Sequence, residues 1–335
     1  MGNRTPVSAV RGRRLNRLTM RPSNQLFYHI ITGMKTQTIL TKIYNFYALY
    51  DGNNYFLLQG IQIKVFFRYA IAIFCDRCYN TYMLNSFVKC DMIIAERKDK
   101  KIFRSGDAII KLFDENFSKS NVLNEAINQS RVEETGLNIP KIREVTLIDG
   151  KWAIVMDYVS GKTLENLMKG NPAESHNYMR LFVEIQTDIH SRKHMLLTKF
   201  SDKMTLKIMN SELDASTRYD LAVRLADLPR YNCVCHGDFN PSNVVITESG
   251  VPYILDWSHA SQGSPVADAT KTYLIFKTSG EDERAEIYIN EYCLKTGTTK
   301  ADINKWLPIV AAAQLVKSNA EVKRKLYEFI DNYGE

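Results

Sequence analysis

Three oxygen-bearing side chains surround one short predicted hairpin, and they are of the types that hold a divalent cation. Segments 244–247 and 251–255 are β-rich and flank a glycine-containing turn, which predicts an antiparallel hairpin. The residue entering the first strand lies near the one leaving the second, so Asn243 and Asp256 should meet at its open end. Asp238 lies five residues upstream and can point a second carboxylate into the same cleft. An amide oxygen and two carboxylates suit Mg²⁺, which keeps waters and bridges phosphates.

The residues before this hairpin carry a recognisable motif. From His236 to Asn243 the chain reads HGDFNPSN, and with the hairpin and Asp256 it resembles the aminoglycoside phosphotransferase and choline kinase family, a branch of the protein-kinase-like fold. The resemblance implies that Asp238 is the catalytic base, that Asn243 and Asp256 hold Mg²⁺ on the nucleotide phosphates, and that His236 orients the loop. Without the resemblance, the same residues describe a surface hairpin whose ends carry ordinary turn residues.

A site of this family also needs a lysine on a strand and a glutamate on the next helix. Lys111 lies in the apolar, β-rich run 108–113, and lysine is rarely buried unless it is paired. The pattern predicts a helix from about Asn121 to Gly136, on which Glu125 lies. The resemblance implies that Lys111 binds nucleotide phosphates and that Glu125 fixes Lys111. Taken alone, they would be an edge-strand lysine and an exposed helix residue.

The predicted strand 152–156 leads into the segment that serves this family as a hinge between two lobes. The resemblance assigns Asp157 and Val159 to nucleotide contact, although an ordinary loop would look similar. One expected part is missing, because residues 94–107 contain only Gly106 where the family has a glycine-rich phosphate loop. Backbone amides of a tight hairpin can still face a phosphate. We expect ATP or GTP as the donor, held more loosely than by a full glycine-rich loop.

Two residues near the motif are expected to be structural. Asp268 should pin its loop through hydrogen bonds to backbone amides. His190 ends the apolar face of a predicted amphipathic helix. We interpret His190 as a packing residue because Asp238 already fills the role of the base.

The composition fits a soluble enzyme with a substantial core, at 335 residues, 45% hydrophobic and 24% charged. Cys75 and Cys78 form one CxxC without a second pair, and Cys233 and Cys235 flank a predicted strand. This usage predicts free thiols in a reducing compartment, and hence a cytoplasmic protein.

The basic surplus of the chain lies in its first part. Residues 1–91 hold 12 Lys plus Arg against 3 Asp plus Glu, whereas residues 92–335 hold 32 against 34. An arginine cluster there can bind nucleic acid or an anionic membrane. A membrane anchor is a second interpretation, opposed by the polar residues that break every long apolar window, Gln59, Gln62, Lys64 and Arg68. We favour a third, in which the segment adds nothing to the fold and the natural start is Met92, so that neither nucleic acid nor membrane is a partner.

Deletion of residues 1–91 tests this interpretation. The truncated chain is expected to unfold cooperatively in urea with a midpoint close to that of the full chain. Aggregation, or a transition without cooperativity, would show that the segment belongs to the core.

Together these features predict an α+β, two-lobed protein-kinase-like fold. After the basic extension 1–91, residues 92–157 form a small antiparallel nucleotide-binding lobe and residues 158–335 a larger, mainly helical lobe for catalysis and acceptor binding. The predicted function is transfer of the γ-phosphate of ATP or GTP to a hydroxyl of a small molecule. The alternative is a catalytically silent kinase-like binding or regulatory module. A protein kinase is disfavoured, because residues 258–271 are short and contain no Ala-Pro-Glu-type segment.

The acceptor stays open among aminoglycosides, choline, amino sugars, nucleosides and homoserine-like alcohols. A polycationic acceptor would favour an acidic pocket in the helical lobe. Six residues offer one, or are simply solvated helix faces: Glu174, Glu184, Asp188, Asp202, Glu212 and Asp214.

Overall fold

The structure is a computed structural model that describes residues 92–97, 99–316 and 318–331. The predictions for residues 1–91, including the arginine cluster and the CxxC, lie outside the described residues. Within the described ranges, no helix is both long and apolar enough to cross a membrane. Cys233, Cys235 and Cys293 are free thiols.

The described chain begins with a five-stranded antiparallel sheet in the order β1-β2-β3-β5-β4. Its strands are β1 (Met92–Arg97), β2 (Lys100–Ser105), β3 (Ala108–Phe113), β4 (Ile142–Ile148) and β5 (Lys151–Asp157). Helix α1 (Lys119–Glu133) follows β3 and begins after Ser118, whose hydroxyl accepts a hydrogen bond from the Asn121 amide. Val122 of α1 packs against Phe113 in a small apolar cluster between helix and sheet.

The remainder is mainly helical. Its helices are α2 (Leu164–Gly170), α3 (Ser175–Ser191), α4 (Phe200–Met209), α5 (Ala215–Asp227), α6 (Pro265–Thr278), α7 (Asp282–Thr296), α8 (Lys300–Leu315) and α9 (Ala320–Asp331). Short strands lie among them, namely β6 (Lys162–Thr163), β7 (Cys233–Cys235), β8 (Val244–Ile246), β9 (Pro252–Ile254) and β10 (Ser261–Gly263). β8 and β9 form the predicted hairpin, to which β6 adds a third strand, while β10 pairs with β7.

A buried aromatic contact fixes the segment that carries the HGD motif. Phe239 is 1% exposed, and its ring stacks on Phe182 of α3 with 4.2 Å between the centroids. The ring of Phe182 also meets Tyr288 of α7 edge to face. The segment 236–243 is therefore anchored to the helical core rather than being a free surface loop.

The sheet and the helical part share core residues and backbone contacts. Val132 at the end of α1 and Ile139 after it belong to the large apolar cluster of the helical part, not to the small cluster under the sheet. The Ile254 amide of β9 donates to the Asn138 carbonyl at 2.9 Å. The Asn128 side chain of α1 donates to the Ser258 carbonyl at 3.1 Å. The stretch 128–139 thus joins the two parts at the level of the hairpin.

Candidate active site

The hairpin brings Asn243 and Asp256 together as its register predicts. Val244 lies opposite Ile254, and the Leu255 amide donates to the Asn243 carbonyl at 2.8 Å. Asp256 follows directly and has φ 59° and ψ 66°, in the left-handed region that aspartate tolerates better than most residues. This turn of the backbone directs the chain away from the strand immediately after the hairpin.

The backbone of Asp238 organises the loop before the hairpin. Its carbonyl accepts hydrogen bonds from the Asn243 side-chain nitrogen at 2.9 Å and from the Asn240 side-chain nitrogen at 3.1 Å. The bond from Asn243 uses its amide nitrogen, so its amide oxygen is the atom that can ligate a cation. Gly237 has φ 78°, and a Cβ there would lie 2.7 Å from the His259 carbonyl oxygen. The loop needs glycine at this position for both reasons.

His236 is fully buried and ties the loop to the hairpin. Its Nε2 lies 2.9 Å from the Leu255 carbonyl, and its Nδ1 accepts from the Asp238 amide at 3.2 Å. Burial lowers the pKa of His236, which favours the neutral ring with the proton on Nε2 that these two bonds require. These contacts hold His236 between the loop and the hairpin, where it can have the orienting role that the family resemblance implies.

Asp268 lies at the first turn of α6 and is almost completely buried. Its carboxylate accepts from the His236 amide at 3.0 Å, the Gly237 amide at 2.8 Å and His190 Nε2 at 3.1 Å. Burial opposes ionisation, but the hydrogen bonds from His190 and from the Gly237 amide outweigh it and hold the pKa of Asp268 below its ordinary value. Asp268 thus pins the loop through backbone amides, and His190 packs beside it.

Lys111 joins residues from three elements in one buried cluster. Its Nζ lies 2.9 Å from Glu125 Oε1 on α1 and 3.3 Å from Asp256 Oδ1 after the hairpin. Burial alone would lower the pKa of Lys111, but the carboxylates of Asp256 and Glu125 outweigh it and raise that pKa. Burial would likewise raise the pKa of Asp256, yet the Lys111 and Lys100 ammonium groups hold it well below its ordinary value. Both groups are therefore charged at neutral pH.

The carboxyl of Asp238 has a different electrostatic setting. Burial raises its pKa, and the positive charge of Lys271 on α6 partly offsets that effect. Lys271 Nζ donates to the Gly237 carbonyl. Nearby, Lys203 on α4 donates to the carbonyls of His259 at 3.3 Å and Ala260 at 2.6 Å. Burial and the charge of Lys271 lower the pKa of Lys203 to about 8. Two lysines thus flank the loop that carries Asp238.

Asp157 and Val159 lie at the end of β5, apart from the Lys111 cluster. The Asp157 carboxylate is bound by Arg143 Nε at 2.6 Å, and the Tyr158 amide between them donates to the Asp107 carbonyl at 2.9 Å. The Asp157 amide is also engaged, since it donates to the Lys141 carbonyl at 3.0 Å. The assignment of this segment to the nucleotide remains a prediction.

The turn that lies beside the cluster is not the one that contains Gly106. Gly106 joins β2 to β3, and six residues of β2, about 17 Å, separate that turn from the β1–β2 connection. The β1–β2 connection supplies Arg97, whose guanidinium lies 3.8 Å from Asp256 Oδ2, and Lys100. Neither cation was predicted from the sequence. No signal in the sequence alone marks Lys100, because its side of the sheet follows from its pairing with Phe113, which places it on the same sheet face as Lys111.

The six acidic residues considered for an acceptor pocket are all exposed. Glu184 and Asp188 lie on α3 and Asp202 on α4, while the other three lie outside the α-helices, namely Glu174, Glu212 and Asp214. Each of the best-defined ones has a local role: Glu184 pairs with Lys295, Glu212 with Lys323, Asp188 with Arg192, and the Asp214 carboxylate caps α5. They act as solvated helix faces and caps. This outcome agrees with the plainer of the two interpretations.

The arrangement has known counterparts in overall fold. Aminoglycoside phosphotransferase APH(4)-Ia is similar with a TM-score of 0.55 and 14% identity, covering 78% of this chain and 99% of that one. Choline kinase LicA from Streptococcus pneumoniae is similar with a TM-score of 0.52 and 15% identity, covering 76% and 98%. A thermostable mutant of APH(4)-Ia in ternary complex with AMP-PNP and hygromycin B gives 0.54 and 15%, covering 72% and 93%. These similarities confirm the predicted two-lobed protein-kinase-like fold.

Among curated proteins, none matches the chain. A family model does match it, and it agrees with the similarity in fold. The model of the phosphotransferase enzyme family, APH, matches residues 99–303, more than half of the chain and the part that contains every site residue predicted above. Fold and sequence thus lead to one assignment: the chain belongs to the phosphotransferase enzyme family.

Proposed function

We propose that this protein is a small-molecule kinase that transfers the γ-phosphate of ATP or GTP to a hydroxyl group. The observation that carries the proposal is the contact of Lys111 with both Glu125 and Asp256. It unites a phosphate-binding cation, the carboxylate that positions it and a candidate metal ligand in one buried cluster. Phosphoryl transfer depends chiefly on such positioning and charge neutralisation.

The donor site needs Mg²⁺, and the residues present fit it. Asp256 is ionised, Asn243 offers its amide oxygen, and both are hard oxygen ligands. Among the described residues, no group of three His, Cys, Asp or Glu side chains is placed to hold a metal ion by itself. This suits Mg²⁺, which is usually held by one or two protein oxygens together with substrate phosphates and waters. When bound, Mg²⁺ would neutralise part of the negative charge of the nucleotide phosphates.

Asp238 is the proposed base. Its carboxyl is partly buried in the loop that His236, Asn243 and Asp268 hold in place. It would align the acceptor hydroxyl and accept its proton as the phosphoryl group departs from the donor. The carboxylate has to be ionised for this role.

The acceptor is proposed only as a small molecule with a hydroxyl group. Hygromycin B lies in one similar structure, and another is a choline kinase. In this chain the six acidic residues considered as a pocket for a polycation are all exposed. Lys203 and Lys271 flank the loop of Asp238 instead. Cationic, neutral and zwitterionic alcohols therefore all belong in the test.

The test is release of ADP or GDP from ATP or GTP by purified protein, with and without Mg²⁺, over aminoglycosides, choline, amino sugars, nucleosides and homoserine-like alcohols. We expect Mg²⁺-dependent release that one acceptor class stimulates, and no stimulation in Asp238→Ala. The phosphorylated acceptor, identified by mass spectrometry, would establish the hydroxyl that reacts.

If the wild-type protein binds ATP or GTP but forms no ADP or GDP with any acceptor, the result would count against a kinase and in favour of a silent binding module. Equal release by wild type and Asp238→Ala would remove Asp238 from the mechanism. Release without Mg²⁺ would remove Asn243 and Asp256 as metal ligands.

A further inference from the structure

The β1–β2 hairpin approaches the Lys111 cluster with charged side chains and no glycine. Arg97 pairs directly with Lys100, so the end of β1 and the start of β2 lie side by side. In a chain with a glycine-rich turn, backbone amides would face the phosphates here. In this chain the ends of both strands present cations instead.

Strand register fixes the direction of the Lys100 side chain. Lys100 lies opposite Phe113, and Phe113 shares a sheet face with Lys111 because the two are separated by two positions. Phe113 packs against Val122 of α1, so this face is the one that meets the helix carrying Glu125. Lys101, the next residue, points to the other face and pairs with Glu96 at 2.7 Å.

Lys100 contacts the same two carboxylates as Lys111. Its Nζ lies 3.5 Å from Glu125 Oε1 and 4.0 Å from Asp256 Oδ1. The Lys100 side chain is 13% exposed, compared with 7% for Lys111. It is therefore held in the site but keeps more contact with solvent, from which a nucleotide must enter.

The buried charges of the cluster balance, and Arg97 adds a cation that is open to solvent. Lys100 and Lys111 face the two carboxylates of Glu125 and Asp256, whereas the Arg97 side chain, 3.8 Å from Asp256, is 58% exposed. Lys100 and Lys111 thus place two ammonium groups side by side at the same carboxylates. A polyphosphate suits such a pair, because its oxygens accept charge-assisted hydrogen bonds from several ammonium groups at once.

We propose that Lys100 is a second phosphate-binding lysine of the nucleotide site, acting beside Lys111 in place of the amides of a glycine-rich turn. The inference rests on the proposed function, since it assigns a further residue to the same nucleotide. Lys100 positions the donor rather than taking part in proton transfer. Its loss should therefore weaken binding of the triphosphate much more than it affects the nucleoside part.

The experiment compares Lys100→Met with Lys101→Met by calorimetric titration with Mg·ATP, Mg·GTP and the free nucleosides. Wild type should bind one of the two triphosphates, and we expect its Kd to rise about 10- to 100-fold in Lys100→Met. This change corresponds to the loss of one hydrogen bond to a charged group. Nucleoside affinity should stay unchanged in that variant. Lys101→Met should match wild type throughout, and Lys100→Arg should recover most of the triphosphate affinity.

Three outcomes would overturn the assignment. Triphosphate affinity equal to wild type in Lys100→Met would show that Lys100 makes no phosphate contact. An equal loss for triphosphate and nucleoside, without recovery in Lys100→Arg, would show that Lys100 only supports the fold. If wild type bound no nucleotide at all, the proposed function and this inference would both fail, whereas the first two outcomes leave the proposed function intact.

Discussion

Replacement of Asp238 by alanine is expected to lower the rate of phosphoryl transfer by about 10²- to 10⁴-fold, the usual contribution of a positioned general base. Nucleotide affinity should stay close to that of wild type, because the phosphate contacts are assigned to Lys111 and the cation to Asn243 and Asp256. The loop should also keep its shape. It is the Asp238 carbonyl, not its side chain, that accepts the bond from Asn243.

The measurement is kcat with the best acceptor, together with nucleotide Kd, for wild type, Asp238→Ala and a matched control. Asp220→Asn serves as the control, because Asp220 is exposed on α5 and pairs only one turn away, with Arg224 at 2.8 Å. A rate for Asp238→Ala within a few-fold of the control would exclude the proton-accepting role. A parallel loss of nucleotide affinity would indicate that Asp238 belongs to the donor site.

The largest effect on stability is expected from Asp268→Ala. The substitution leaves the buried amides of His236 and Gly237 without their acceptor and removes the partner of His190. Unpaired buried donors and broken buried pairs each cost several kcal/mol, so we expect the free energy of unfolding to fall by about 3–5 kcal/mol. That is a large share of the total stability of an ordinary domain.

Urea unfolding of the variant and of Asp282→Ala tests this expectation. Asp282 makes an exposed pair with Lys277, so its loss should cost less than about 1 kcal/mol.

The effect of Asp268 should also depend on pH. The folded pKa of Asp268 lies below its ordinary 3.8, so its stabilising contribution is complete above that value and is lost as pH falls through the folded pKa. The gap between wild type and Asp268→Ala should therefore be constant near neutrality and shrink in strong acid. A gap that widens in acid would contradict the assignment.

Features governed by local sequence were predictable. The hairpin that joins Asn243 to Asp256 follows from two β-rich runs and a glycine turn. Helix α1 was predicted from its apolar spacing over about 121–136, whereas it runs from Lys119 to Glu133, beginning two residues earlier after its cap Ser118 and ending three residues earlier. The pairing of Lys111 with Glu125 joins residues 14 positions apart across one turn, and the resemblance to a known family already implied it.

Features that depend on tertiary register were not predictable in the same way. Lys100 and Lys101 read as one short basic run, and only the pairing of Lys100 with Phe113 shows that the first faces the cluster and the second faces away. Glu212 is paired with Lys323, 111 positions away, and only the tertiary fold brings the two together. Contacts between residues so far apart produce no periodic pattern in the sequence. The sequence therefore could not distinguish an acidic pocket from acidic residues on solvated helix faces.

The junction at residues 128–139 bears on how this protein can be divided and recombined. Val132 and Ile139 lie in the core of the helical part, although they precede the last two strands of the sheet. Cutting the chain between the lobes would therefore remove buried apolar surface from one half and the acceptor of the Ile254 amide from the other. A chimaera that takes its sheet from a relative would place side chains of that relative in the helical core. It would therefore need residues 128–139 from the same parent as β9. The two lobes differ in architecture, but neither can be exchanged without regard to this junction.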